Sequence, residues 1–155
     1  MVTLDWLEQH MQHSAELARW IHTQFPYEFA DQPLADWQGE FSAGQRSRAW
    51  RSLIALEDGR LLGSASLALD DLAQRPDLGP WLACVFVRPE CRGQGLAERL
   101  IEGICRDAAA QGHRLIYLHT RDRADYYGKR RWQTLETFEA WGETHSLMYR
   151  ELLPI

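Results

Sequence analysis

The chain has no run of apolar residues long enough to span a membrane as a helix. Its first ten residues, MVTLDWLEQH, hold neither a basic stretch nor an apolar core of the secretory type, so export is not expected. Cysteine is scarce: Cys84, Cys91 and Cys105 are odd in number, irregular in spacing and without a Cys-x-x-Cys pair. That excludes a disulfide framework and points to a reducing compartment, the cytoplasm. Positive charge is also short. With 17 Lys+Arg against 22 Asp+Glu the net charge is −5, which disfavours a nucleic-acid partner and weakly favours a cationic one such as an amine. His10 and His13 lie three apart but lack a third ligand, so no metal is expected. Internal repeats, low-complexity tracts and linkers are absent.

What is present fits one domain spanning residues 1–155, with a hydrophobic content of 45% that suffices for a proper core. Asp5 to Phe25 reads as an amphipathic helix, with Trp6, Leu7, Met11, Leu17, Ala18 and Ile21 on one stripe, Thr3 or Asp5 as its cap and Pro26 as its end. Tyr27 to Gln45 reads as loop with a short helix around Leu34 to Phe41. Strands at Ala49–Leu56 and Leu61–Leu69 flank an Asp58-Gly59 turn. After a polar connection, Asp70–Gly79, the strongly apolar Pro80–Val87 reads as a central strand buried on both faces. A helix from Leu96 to about Ala110 follows, stopped by Gly112. Then come a strand at Leu115–Thr120, a short helix at Asp122–Arg130, and an antiparallel pair at Trp132–Phe138 and Thr144–Leu152. The strand–helix–strand unit in the middle requires a parallel pairing with a right-handed crossover. The fold class expected is therefore α+β, a mixed sheet covered by helices.

The segment Val85 to Ala97, VFVRPECRGQGLA, narrows the function. A strand, a Pro-punctuated turn and a Gly-rich stretch lead into a helix, which gathers free backbone N–H groups and the positive helix end at one point. Gly93 and Gly95 allow close backbone approach and left-handed dihedrals, and Arg92 offers a guanidinium to a phosphate oxygen. The segment is not a P-loop, because no Lys-Ser/Thr pair follows the glycines. It is not a dinucleotide fingerprint either, because Glu98 stands where a third glycine belongs.

Arg92-Gly93-Gln94-Gly95-Leu96-Ala97 fits the pattern Arg/Gln-x-x-Gly-x-Gly/Ala and resembles the acyl-CoA loop of the Gcn5-related N-acetyltransferase (GNAT) superfamily. Downstream, after LIYLHT, the run Ala124-Asp125-Tyr126-Tyr127-Gly128-Lys129-Arg130-Arg131-Trp132 resembles that family's Phe-Tyr-x-Lys-x-Gly-Phe helix and turn. The resemblance covers Pro80 to Trp132 well and the N-terminal half loosely. It implies a mixed sheet of about six to seven strands, flanked by helices, whose central strands splay into a V-shaped acyl-CoA slot.

It also implies the activity: an N-acetyltransferase that moves an acetyl group from acetyl-CoA to a primary amine, by direct transfer in a ternary complex and without a metal. The acceptor is a small molecule or an exposed amine of a peptide, and a homodimer through the sheet edge or final hairpin is compatible. On this reading the pyrophosphate rests on the backbone of Arg92, Gly93, Gln94, Gly95, Leu96 and Ala97. The pantetheine arm pairs with Val85, Phe86 and Val87, and Tyr127 is the general acid for the departing thiolate, with Tyr126 its packing partner. The basic cluster Arg121, Arg123, Lys129, Arg130 and Arg131 falls near the CoA phosphates. No glutamate lies in Trp81–Val87, where some members carry the base; Glu28, Asp70, Asp71, His119 or a water chain stay open. Arg131 departs from the family pattern, being a strained choice if its position needs a positive φ. Cys84 is expected in the core, and Trp37 and Trp50 are candidates for the acceptor pocket or, more simply, the core. The competing reading from another class is an acyl-CoA-binding sensor without turnover.

Overall fold

The computed structural model describes residues 1–24, 38–39, 41–47 and 49–152. Seven strands form one sheet in the order β1-β2-β3-β4-β5-β7-β6. They are β1 (Thr3–Trp6), β2 (Trp50–Glu57), β3 (Arg60–Ala68), β4 (Trp81–Val87), β5 (Leu115–Thr120), β6 (Gln133–Ala140) and β7 (Glu143–Glu151). The described helices are α1 (Ser14–Gln24), α2 (Ala43–Ser47), α3 (Leu96–Ala110) and α4 (Ala124–Gly128). Every neighbouring pair is antiparallel except β4 and β5, which run parallel because α3 carries the chain across between them. The α+β architecture expected from the sequence is the one observed.

The sheet is covered on both faces. On one, Leu96, Leu100, Ile101, Ile104 and Ala108 of α3 pack on Leu53, Ala65, Leu82 and Ile116, with Tyr127 and Trp132 completing the cluster. On the other, Leu17, Ala18 and Ile21 of α1 meet Ile54, Trp81 and Leu147. Burying each large aliphatic side chain of this kind stabilises by about 1.5–3 kcal/mol. Two ion pairs fix α3 lengthwise. Arg51 of β2 reaches both carboxylate oxygens of Asp107 at 2.7 Å while its guanidinium lies 3.8 Å from the Trp6 ring centroid. Arg150 of β7 reaches Glu102 at 2.7 and 3.0 Å.

Three local expectations are corrected. The N-terminal helix starts at Ser14, not Asp5: Thr3–Trp6 is an edge strand paired with β2, and two 3-10 turns, Leu7–Gln9 and Met11–His13, follow it. His10, at φ −141° and ψ 50°, breaks the period that the apolar residues suggest, and its Nε2 binds Asp5 Oδ2 at 2.8 Å. Neither Thr3 nor Asp5 is a helix cap. Strand β4 is buried on both faces only at Trp81–Ala83 and Val87; Cys84, Val85 and Phe86 are half-buried, so Cys84 is not core. Trp50 is core; Trp37, Glu28 and residues 34–37 and 40 of the expected short helix lie outside the described residues, and residues 38–39 are helical.

Arg131 does stand at φ 73°, and Trp132 N–H reaches the carbonyl of Tyr127 at 3.2 Å, the backbone pattern of a Schellman helix end. Glycine avoids a penalty there that arginine bears, about 1 kcal/mol.

The Glu102–Arg150 pair gives a pH-dependent prediction. The hydrogen bond from Arg150 holds the Glu102 carboxyl below its ordinary range. Its contribution is therefore present above the unfolded-state value of about 4.3 and is lost as pH falls through the lower folded-state value. Glu102 is partly exposed, so Glu102→Gln is expected to cost about 1–2 kcal/mol at pH 7. Chemical denaturation at pH 7 and pH 3 checks this: the gap between wild type and variant should narrow at the lower pH.

Candidate functional site

Strand β4 sits between β3 and β5 but stays paired with both for only part of its length. Against β5 the register joins Trp81 to Tyr117, and beyond that point the strands part. β4 continues along β3 as far as Val87 opposite Gly63, while β5 follows β7 to Thr120 opposite Ser146. Within β4, two steps along β3 (Ser64 to Ser66) match three along β4 (Ala83 to Phe86). This bulge holds Cys84 at φ 53° and re-aims the backbone that follows it. Among the described residues, no strand pairs with Val85–Val87 on the edge of β4 that faces β5. Backbone N–H and C=O groups on such an edge are open to water or to a ligand.

The parting opens a cavity of about 560 Å³, within the usual range for a small-molecule site. Its walls include Leu82–Val87 of β4, Leu118–Thr120 of β5, and the start of α3. After β4 the chain turns through Pro89–Cys91, and the Arg92 Nε–H donates to the Val87 carbonyl at 2.9 Å. Gly93 and Gly95 then take φ 79° and 76°, and α3 begins at Leu96. A Cβ at either glycine would meet nothing within 4 Å, so the backbone dihedral, not crowding, demands glycine here. The N–H groups of the first helical turn have no intrahelical acceptor and point out of the helix start, beside the positive dipole end.

Of the residues singled out in the sequence, Val85, Phe86, Val87, Arg92, Gly93, Gly95, Leu96, Ala97 and Tyr127 line this one cavity. Gln94 is exposed and does not line it. Arg121, Arg123 and Arg130 line it as well. Arg130 stacks 3.7 Å from the Tyr126 ring centroid and pairs with Glu98 at 3.0 Å. Lys129 is not among the lining residues, and Arg131 faces Glu102 at 3.6 Å. Tyr127 is 9% exposed and packs edge-on against Tyr126 and Trp132 at 5.2 and 5.9 Å between ring centroids. Burial pushes its phenol well above the ordinary tyrosine range, so the hydroxyl carries its proton throughout the neutral range.

At the other end of the cavity the structure joins two residues that the sequence named separately. Asp71 Oδ2 lies 3.0 Å from His119 Nε2. Asp70 is exposed and outside the lining. Around His119 stand Trp81, Phe138, Trp141 and His145, a group the sequence reading missed. Trp141-Gly142 is a left-handed turn (φ 51° and 79°) without the usual Asn or Asp. A tryptophan followed by glycine between two alternating strands is the signal that marks it. Among the described residues, no three His, Cys, Asp or Glu side chains come together as a metal site, and no helix is long and apolar enough to cross a membrane.

The site thus lies where a mixed sheet forks at its parallel pair, beside a glycine-rich helix start. The sequence pattern of the Acetyltransferase (GNAT) family matches residues 14–142, and the chain belongs to that family. Among solved structures, an aminoglycoside 6'-N-acetyltransferase complexed with coenzyme A superposes with a TM-score of 0.78 at 13% identity, covering 99% of this chain and 98% of that one. An acetyltransferase from Streptococcus agalactiae gives 0.72 at 19% identity, covering 97% and 98%. The protein yncA from Salmonella typhimurium, solved with acetyl-CoA, gives 0.75 at 13%, covering 100% and 96%. At these identities the likeness is one of fold. No curated protein sequence matches the chain.

The glycine-rich loop yields a direct prediction. Gly95→Glu places a negative charge where the sequence reading expects the phosphates and forces a side chain into a left-handed dihedral. Titration calorimetry should show acetyl-CoA binding abolished, with a stability loss of only about 1–2 kcal/mol because no atom clashes. Retained affinity would remove the loop from the phosphate site.

Proposed function

We propose that the protein is an acetyl-CoA-dependent N-acetyltransferase that acts as one domain on a primary amine of a small molecule or an exposed peptide amine, by direct transfer. The observation that carries this is the edge of β4 beyond its pairing with β5, which leads through the Pro89–Cys91 turn into the glycine loop, with Tyr127 in the same cavity. An extended amide-bearing arm satisfies such an edge, and a pyrophosphate satisfies the N–H groups of Arg92–Ala97. The thioester supplies the activated acetyl group; everything else is the work of this chain. The β4 edge orients the arm and offers an N–H to the carbonyl oxygen, where negative charge develops. The arginines at the rim hold the phosphates, and the paired strands to either side exclude water.

Tyr127 holds the proton that the leaving sulfur requires. The phenol is protonated at neutral pH and is therefore available to the leaving sulfur as a hydrogen-bond donor.

The free cysteines fit a reducing compartment, and we place the protein in the cytoplasm. The acceptor is to be sought by thiol release from acetyl-CoA with kanamycin, spermidine, phenethylamine and a peptide with a free N-terminus. Amine-dependent release establishes the transferase. Binding of acetyl-CoA without release from any amine would favour the sensor instead. Tyr127→Phe should lower kcat by roughly 10²–10⁴-fold while leaving acetyl-CoA affinity, measured by calorimetry, nearly intact. An unchanged kcat would remove the phenol from the mechanism.

A further inference from the structure

The floor of the fork is apolar and tightly packed, and that limits the acyl group a bound thioester can carry there. We infer that Leu118 of β5, together with Leu82 of β4, closes the fork against acyl groups longer than acetyl and against any that carry a charge. The inference rests on the acyl-CoA reading above and deepens it, because it names the acyl group that the same cavity takes.

The placement follows from the two strands. β4 and β5 are joined at Trp81 and Tyr117, and one step further along each strand stand Leu82 and Leu118. Both line the cavity, yet they are only 3% and 2% exposed. Each shows the cavity a small area while the rest of its side chain is packed. Strand alternation puts both on the α3 face, in one cluster with Leu100, Ile104, Ile116 and Tyr127. On the opposite face the same level is closed by Trp81, which is wholly buried and whose ring lies 5.7 Å from that of Tyr117 between centroids. The gap thus runs from the strand ends at Val87 and Thr120 down to an apolar floor at Leu82 and Leu118.

On the reading above the phosphates rest at Arg92–Ala97, beyond the end of β4. The arm then runs back along the strand toward Ala83, about 13 Å from Val87. Its thioester end points at the floor, and the acyl group is the part of the ligand that meets it. An acetyl methyl ends there. Each further methylene would have to displace side chains of a packed core, and close-packed interiors yield little. The floor also offers no cation to a charged acyl group. The lining arginines stand toward the ends of the gap: Arg92 donates to the Val87 carbonyl at 2.9 Å, Arg123 and Arg130 flank α4, and Arg121, beyond β5, pairs with Glu143 at 3.2 Å. On the α1 face His119 is held by Asp71 at 3.0 Å, and the charge of Asp71 repels a second carboxylate. A carboxylate at the end of the acyl group would be buried against leucine without a partner, at a cost far above that of a methyl group.

Trimming the floor should therefore change which acyl group fits. Leu118→Ala removes the bulk that a longer chain would displace and leaves apolar surface for that chain to bury, which favours binding by about fourfold for each methylene accommodated. Leu118→Val is the milder change. It trims the floor by one methylene and keeps a residue that strands favour.

The test is titration calorimetry of wild type, Leu118→Ala and Leu118→Val with coenzyme A and with its acetyl, propionyl, butyryl and succinyl thioesters. Coenzyme A carries no acyl group and reports whether the site is intact. Wild type should bind acetyl-CoA best, with butyryl-CoA and succinyl-CoA weaker by roughly tenfold or more. Leu118→Ala should bind coenzyme A as wild type does and raise the ratio of butyryl-CoA to acetyl-CoA affinity by about 16-fold, two methylenes' worth, while succinyl-CoA stays excluded. If Leu118→Ala does not fold, Leu118→Val decides, with the propionyl-to-acetyl ratio expected to rise about fourfold. Weakening of all five ligands alike in Leu118→Val would mark a residue that only holds the fold together, and the proposal would fall. Equal binding of butyryl-CoA and acetyl-CoA by wild type, or ratios unmoved in variants that still bind coenzyme A, would overturn it while leaving the acetyl-CoA reading in place. Failure of wild type to bind any of the five would overturn that reading and this inference with it.

Discussion

The structure depends on one constraint: strand β4 keeps its partner on the β3 side and gives up its partner on the β5 side after Trp81. A sheet interior normally satisfies every backbone group, and a strand edge that loses its neighbour in the middle of a sheet is costly unless something else occupies it. Everything around the fork holds it open. The antiparallel hairpins to either side, β2–β3 and β6–β7, keep β4 and β5 attached to separate halves. At Gly63 a Cβ would come within 2.7 Å of the Phe86 carbonyl oxygen, so β3 approaches β4 closely where the bulge pushes the backbone across.

The second requirement is that the glycine-rich loop stay in register with the fork. Helix α3 begins at Leu96, where the loop ends, so any slip of the helix moves the proposed phosphate site. Its apolar stripe fixes its rotation. At Gly103 a Cβ would fall 2.5 Å from Leu53, which shows how closely helix and sheet approach. The Arg51–Asp107 and Arg150–Glu102 pairs fix its length coordinate from β2 and β7, the two halves of the sheet. The fold thus couples both sides of the fork to the one helix that carries the loop. A directed ion pair suits that task better than burial, which is indifferent to small translations.

The sequence made much of this legible, and unevenly. The glycine loop could be read because Gly93 and Gly95 are needed for dihedrals that no partner elsewhere in the chain has to supply. The α3 stripe and the Asp58-Gly59 turn were local in the same sense. What failed was non-local. Thr3–Trp6 carries a helical apolar spacing, yet pairing with β2 decides its state. Cys84 sits in a run indistinguishable from any buried strand, and only the three-for-two register with β3 reveals the bulge. Asp71 and His119 were each visible as candidates, but 48 positions separate them in the chain and nothing in either segment says that they meet. The aromatic surround of His119 was hidden for a similar reason, because Trp141 depends on a turn conformation tryptophan rarely takes.

The measurement that bears most directly on this account is amide hydrogen exchange over Cys84–Val87 and Gly93–Ala97, with and without saturating coenzyme A. If the open edge of β4 and the glycine-rich loop are the two ends of one ligand site, both segments gain protection together on binding, and the paired edge strands β1 and β6 do not change. Binding that leaves the β4 segment exchanging as before would contradict it, since the unpartnered edge would then not be what the ligand fills.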